Sequence, residues 1–304
     1  PEGYYHYLGT DQIGRDIAAG MVSGTRIALK VALIAMFIAA LLGIFLGGLA
    51  GYYGDYSLKT SRLRQGFLIV GLLLGAFWGF SSRQAFFWAG VDDGQLWTQL
   101  NISLWIATLV VLVFYQVGKV LERRLNIQPE RPVYVDFWVL RSIEVLDSIP
   151  GLFLMLAALA IMKVPSIFNV MVVIGLLSWT GIARFVRAEF LRIRTLDYIQ
   201  AGRVMGFSDF RLLIRHALPN AIGPVLVTIA FGMAGAIILE STLSFLGIGS
   251  SADQISWGSL LKLARDNPTS WWLALFPGMA IFCTVMAFNT LGEALTNAMN
   301  RSTQ

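Results

Sequence analysis

Imidazole and thiol chemistry is scarce in this sequence: of 304 residues, two are histidine, His6 and His216, and one is cysteine, Cys283. An enzyme site gathers nucleophile, base and acid in one place. Here His6 stands ahead of the first apolar run and His216 in a polar interval between two later ones, so they share no site. Few acids fall inside the apolar runs. A lone cysteine excludes an intrachain disulfide and a cysteine-based metal cluster, and Cys283, set in an apolar run, reads as a small packing residue. No metal or bound cofactor is expected of the chain. What the sequence concentrates instead is guanidinium: Arg184, Arg187, Arg192, Arg194, Arg203, Arg211 and Arg215 lie between residues 184 and 220, the longest polar interval between two strongly apolar runs. The interval is patterned as helices, which suits the docking of a partner from outside the membrane better than a solvated linker.

The elements that position these residues follow from composition. Hydrophobic residues make up 56% of the chain and charged ones 13%, too little polar surface to cover a soluble globule of this size. The net charge of +5 does not point to nucleic acid, because the cations flank apolar runs and no basic face carries interleaved aromatic residues. The expected fold is all-α, a polytopic transmembrane helical bundle. Seven runs approach the length that a hydrocarbon core of about 30 Å demands. They extend from Ile27 to Ala50, Gly66 to Phe80, Ile102 to Val117, Phe137 to Met162, Ile167 to Ala183, Ala221 to Leu246, and from Trp271 and Trp272 to Leu291. In the first, Gly43, Gly47, Gly48 and Gly51 leave one face without bulk, open to close helix approach. In the fourth, Arg141 and Glu144 share a helix face and can pair. Residues 247–270 read as a Gly/Ser-rich loop.

Four segments result: residues 1–26, extracytoplasmic; 27–54, the first span; 55–135, a two-span hairpin with basic ends and an acidic tip at Asp92 and Asp93; and 136–304, which contains the 184–220 interval. With residues 1–26 outside, 15 of the 23 lysines and arginines fall on the cytoplasmic side, and the positive-inside bias sets the orientation. The interval and the C-terminus are then cytoplasmic. Pro1 shows neither an initiator methionine nor signal-peptide features, as expected of a chain that continues upstream.

Within the interval, Asp197 is a candidate N-cap for a short helix bearing Tyr198, Ala201, Gly202 and Met205, and Gly206 fits a left-handed C-terminal position. Ser208 can cap a second helix whose Phe210, Leu213, Ile214 and Ala217 recur at helical spacing, and Pro219 fits the first turn of the next span. Ala201 and Gly202 leave a face without bulk between Tyr198 and Phe207, with Arg203 and Arg211 free to meet acidic groups. This corner suits a groove on a soluble partner, and an amphipathic helix on anionic headgroups fits the residues equally well.

The spacing Gln200-Ala201-Gly202-x3-Gly206-x9-His216-Ala217-Leu218-Pro219 resembles the EAA loop of binding-protein-dependent ABC importers, the coupling helix seated in a cleft of the ATPase. Further stretches are similar to the C-type subunit of the dipeptide/oligopeptide/nickel permeases. They are Leu8 to Asp16 (LGTDQIGRD), Gly51 to Gly54 (GYYG), Asp136 with Arg141, Glu144 and Pro150, Glu240 to Gly249 (ESTLSFLGIG), Ser256-Trp257-Gly258, Phe276-Pro277-Gly278 and Ala287 to Glu293 (AFNTLGE). The match runs in order over about three quarters of the chain.

The resemblance implies a type I ABC importer permease fold in a prokaryotic inner membrane. It implies pairing with a homologous permease, two cytoplasmic ATPase subunits that bind ATP and Mg²⁺, and an extracytoplasmic substrate-binding protein. The substrates it implies are peptides or nickel chelates. It makes Asp197, Tyr198, Gln200, Ala201, Gly202, Arg203, Gly206, Phe207, Arg211 and Pro219 the coupling set. Glu240, Ser244 and Trp257 are candidates for the substrate path, against plainer roles: a helix-to-helix hydrogen bond for Glu240, and a surface anchor for Trp257 if it does not face the binding protein. Departures from the pattern are Gln200 where the motif carries Glu, Gly202 where it carries Ala, the inserted hairpin, Ser251-Ala252-Asp253-Gln254 in place of a proline-rich turn, and a missing span upstream of Leu8. The competing classes are an integral membrane enzyme, an ATP-independent channel and an exporter.

Overall fold

The computed structural model of the chain describes residues 6–55, 59–86, 95–127, 131–162, 166–249 and 254–301. Asp92, Asp93, Lys163 and Pro165, and residues 251–253 of the altered turn, lie outside them. The described residues form the α-helices α1 (Ile17–Tyr53), α2 (Arg62–Gly79), α3 (Leu96–Arg124), α4 (Val135–Asp147), α5 (Gly151–Ile161), α6 (Ile167–Ile193), α7 (Asp197–Val204), α8 (Asp209–Leu212), α9 (Leu218–Phe245), α10 (Trp257–Asp266) and α11 (Trp272–Arg301). Six helical stretches are long and apolar enough to cross a membrane. A seventh crossing is available only if α4 and α5, bent 85° to each other, count as one span. The expected run from Phe137 to Met162 is therefore broken, at Ser148, Ile149 and Pro150: Pro150 has no N–H to continue the α4 ladder. Two compact units result: Pro1–Tyr52 with Val139–Leu159 and Pro165–Gln304, and Tyr53–Trp138 with Ala160–Val164.

In the first unit α1 and α6 run parallel in a seam of small residues. A Cβ on Gly43 would lie 2.7 Å from the Ile182 Cβ, one on Gly47 would lie 2.9 Å from the Ala183 Cα, and one on Gly51 would lie 2.5 Å from the Arg187 carbonyl oxygen. Only glycine permits this approach, the role its spacing on α1 predicts. α9 runs antiparallel to α1, with Gly232 against Met36, and Ala28, Ala32 and Ile237 in one buried cluster. α11 runs antiparallel to α9, with Gly223 against Met299 and Gly292 against Phe231. The C-terminal ends of α1, α6 and α11 and the N-terminal end of α9 therefore share one side. Because α1 and α6 are parallel, the chain between them crosses an odd number of times.

The second unit is that hairpin. Gly71, Gly75 and Gly79 of α2 face Phe114, Val111, Ala107 and Ser103 of α3, and its base is closed by a two-residue antiparallel ladder between Lys59–Thr60 and Arg131–Pro132. The glycine repeat stands in the sequence at four-residue spacing and is the device of the α1–α6 seam used again.

Candidate functional site

The polar interval folds as a corner between the last turn of α6 and the first of α9. α7 starts at Asp197, and Leu196, in extended conformation, occupies the N-cap with no side-chain hydrogen bond. The expected Asp197 cap is thus displaced by one residue, and its carboxylate lies in the first turn, where it favours the positive end of the helix dipole. Gly206 ends the helix with φ +78°. Its N–H donates to the Arg203 carbonyl and the Phe207 N–H to the Gly202 carbonyl, both at 3.0 Å, which is the paired closure of a Schellman motif. Ser208 then accepts from the Arg211 N–H at 3.3 Å, as the sequence predicts. The second helix does not stop: α8 widens into π-helical hydrogen bonding over Leu213–Ala217 and continues as α9. Pro219, in the first turn of α9, has no N–H for the Arg215 carbonyl and its ring would clash there, so the wider turn is the local solution.

Inside the corner the small residues serve the chain itself. A Cβ on Gly202 would lie 2.6 Å from Leu212 Cδ2, whereas nothing stands within 4 Å of one on Gly206. Gly202 is needed for space and Gly206 for its backbone angle. Phe207 is stacked on His216 (6.3 Å, 12°) and covered by Arg211 at 4.3 Å. Arg203 lies 4.0 Å from Asp209 and over the Tyr52 ring. Neither the two arginines nor Phe207 is the free anchor that the sequence suggests. Gln200 donates to the Arg194 carbonyl at 2.9 Å. Ala201 is exposed, and Tyr198 is half-exposed; burial pushes the Tyr198 hydroxyl pKa up, against the pull of the Arg192 charge.

The corner is tied to the end of α1. Tyr52, 1% exposed, donates its hydroxyl to Asp209 at 3.2 Å, and Arg194 reaches the Gly51 carbonyl at 3.4 Å. Outward it presents Val204 (90% exposed), Met205 (65%) and Phe210 (69%), apolar side chains adjoining arginine. The sequence puts Met205 and Phe210 on the two short helices and Tyr52 in the Gly51 to Gly54 stretch without marking them, or Val204, as contact residues. The signals were available: Val204 and Met205 directly precede Gly206, and Tyr52 belongs to the Gly51 to Gly54 stretch.

At the far ends of the spans the three path candidates come together with one another and with α10. Glu240 is 1% exposed and accepts from Ser244 Oγ at 2.7 Å and Ser241 Oγ at 3.4 Å. These two partners are on its own helix, and the side chain of Ser256, the residue before α10, also reaches it, so Glu240 links two helices. Residues 257–266, expected as loop, form α10, started by a reciprocal capping box between Ser256 and Ser259. Trp257 is 3% exposed, packs with Ala28, Ala32 and Ile237, and donates its indole N–H to the Met21 carbonyl at 3.2 Å. It is a core residue, neither a surface anchor nor a docking face. Nearby, Asp11 accepts from the Ile13 and Arg15 N–H groups (3.1 and 2.8 Å) and from Arg15 Nε (2.7 Å), while Trp272 donates to the Thr10 carbonyl at 3.2 Å. Burial alone would raise the Asp11 pKa; the Arg15 side chain and the two N–H groups outweigh it, and the net displacement is downward. Cys283 faces outward rather than packing inside.

The family described as "Binding-protein-dependent transport system inner membrane component" matches residues 130–304. A dipeptide transport system permease protein of Bacillus subtilis is 31% identical over 70% of this chain and 68% of its own length. A glutathione transport system permease protein of Pectobacterium atrosepticum is 29% identical over 97% of this chain and 72% of its own length. For an oligopeptide transport system permease protein of Haemophilus influenzae the corresponding values are 26%, 97% and 70%.

Proposed function

The chain belongs to the family of binding-protein-dependent transport system inner membrane components, and we propose that within such a system it carries peptides across the membrane. It is a membrane-spanning permease subunit of an ABC importer. In the proposed assembly it pairs with a homologous permease, receives peptide from an extracytoplasmic binding protein and is driven by two ATPase subunits, on which ATP and Mg²⁺ bind. The shared side of the α1, α6 and α11 C-terminal ends is the cytoplasmic one, a reading supported by the clustering of cations there.

The observation that carries the proposal is the apolar ridge of Val204, Met205 and Phe210 on a corner continuous with α6 and α9 and bonded to α1. An ATPase that grips this ridge moves three spans together, the kind of two-state element that coupling needs. Tyr198, Gln200 and Ala201 flank the contact; Gly202, Arg203, Gly206, Phe207, Arg211 and Pro219 hold its shape, and Asp197 starts its first helix. Glu240, Ser244 and Trp257 hold the helices around the path instead of touching peptide. The test is Val204→Asp with Phe210→Asp. Both side chains are exposed, so the permease should accumulate normally, lose the copurifying ATPase subunits and lose peptide uptake. Full ATPase retention with normal uptake would remove the ridge from the coupling surface.

A further inference from the structure

The hairpin has no part in that proposal, and its charges are arranged unlike those of the other unit. In the first unit six arginines have acidic partners: Arg15 with Asp11, Arg141 with Glu144, Arg184 with Asp147, Arg192 with Glu189, Arg203 with Asp209 and Arg265 with Asp266. At the base of the hairpin, Lys59, Arg62, Arg64, Lys119, Arg123 and Arg124 crowd the start of α2 and the end of α3, which the packing of Gly118 against Arg64 and Phe67 brings level. One acid stands among them, Glu122, and it takes Arg64, which also lies 4.3 Å over the Tyr115 ring. The other five cations have no acidic partner among the described residues.

Position adds to charge. The apolar stretch of α2 begins at Phe67 and that of α3 ends at Gly118, so the five lie just past the hydrocarbon boundary, where lipid phosphates are found. Below them the hairpin presents exposed apolar residues such as Leu73, Leu109 and Val113 for acyl chains. Cations clustered at the end of a transmembrane helix attract anionic headgroups.

We propose that the hairpin base is a binding site for anionic phospholipid headgroups, formed by Lys59, Arg62, Lys119, Arg123 and Arg124. The site gives the inserted unit an interaction of its own, independent of peptide passage.

The whole transporter, washed of native lipid and placed in nanodiscs of equal phosphatidylglycerol and phosphatidylcholine, provides the test, with retained lipid counted by native mass spectrometry. Each cation near an anionic surface is worth about fivefold in affinity. Replacing all five by glutamine should therefore lower phosphatidylglycerol retention by at least about tenfold, leave phosphatidylcholine unchanged and remove its salt sensitivity. Interchanging Lys and Arg at the five positions should preserve it. Equal retention in wild type and the glutamine variant overturns the proposal, and so does a hairpin that inverts in protease mapping while retention is unaltered, which would make the cluster a topology signal only. Displacement of the lipid by inorganic phosphate, or by an acidic protein that copurifies through the five residues, would assign the site to that ligand and also overturn it.

Discussion

The α1–α6 seam and the α2–α3 seam use one device in two settings. Both replace side-chain volume by glycine so that backbones touch: a Cβ at Gly47 would lie 2.9 Å from the Ala183 Cα, and one at Gly75 would lie 2.9 Å from the Ala107 carbonyl oxygen. What surrounds them differs. Behind the first seam stand α9 and α10, with Trp257 and Ile237 packed on Ala28 and Ala32, and the C-terminal end of α1 is bonded to the corner between α6 and α9. α2 and α3 have chiefly each other, and much of the rest of their apolar surface is exposed. In a membrane, where lipid is as apolar as leucine, close packing rather than hydrophobicity holds helices together. The comparison thus locates rigidity in the first seam, which further helices brace, and leaves the second held by its own glycine packing.

The largest effect separates the two directly. Gly47→Leu should prevent stable accumulation of the chain, because Ala183 is backbone and cannot yield without displacing α6 and the corner it leads to. Gly75→Leu should splay the hairpin and leave assembly and peptide uptake near wild type. Membrane levels and uptake measured side by side check this, and equal damage from both would break the distinction. Next in size is Asp11→Asn, which removes a carboxylate accepting three hydrogen bonds and should cost about 1.5–3 kcal/mol. Since the folded pKa of Asp11 is lowered, its contribution is full above the ordinary carboxylate range and is lost as pH falls through the lowered value. Thermal midpoints of wild type should accordingly drop on acidification toward those of the variant, which should itself change less over that window.

How far these features were legible in the sequence depends on whether their cause is local. The Gly43, Gly47 and Gly51 face needed only helical spacing, and Ser208 and Gly206 needed only turn chemistry, so each stands where the residues alone put it. The Trp257 environment was not legible, because what buries the indole is a gap at Gly24 in a different helix, and a Gly/Ser-rich stretch conceals α10. Cys283 was misplaced for a physical reason: an apolar run says that a helix is in lipid, not which of its faces touches protein. The small residues of the corner were read as shaped for a partner, and one of them, Gly202, is shaped for Leu212. Val204 and Phe210 were not marked as contact residues because sequence gives no sign of which apolar residue of a short helix is left outside.

Third in size is the corner glycine. If its angle matters and not its volume, Gly206→Asn should be milder than Gly206→Ala despite the larger side chain, since asparagine enters the left-handed region more readily. Alanine should cost about 1 kcal/mol and reduce ATPase copurification more than asparagine does. The opposite order would return the site to a question of space, as Gly202 already is.

The smallest effect tests the charges of the hairpin. Glu122 is buried, its Oε2 has no hydrogen-bond partner among the described residues, and its ion pair with Arg64 is 3.9 Å long. Such a pair gains little attraction while the carboxylate bears the cost of leaving water. Arg64 keeps the Tyr115 ring when the acid is neutralised. Glu122→Gln should therefore be near neutral in thermal stability, because the lost attraction and the relieved desolvation offset each other, in contrast to Asp11→Asn, where every lost acceptor has a donor. A large destabilisation would mean that Glu122 restrains the whole cluster of cations, and the hairpin base would then be held by its own charge balance.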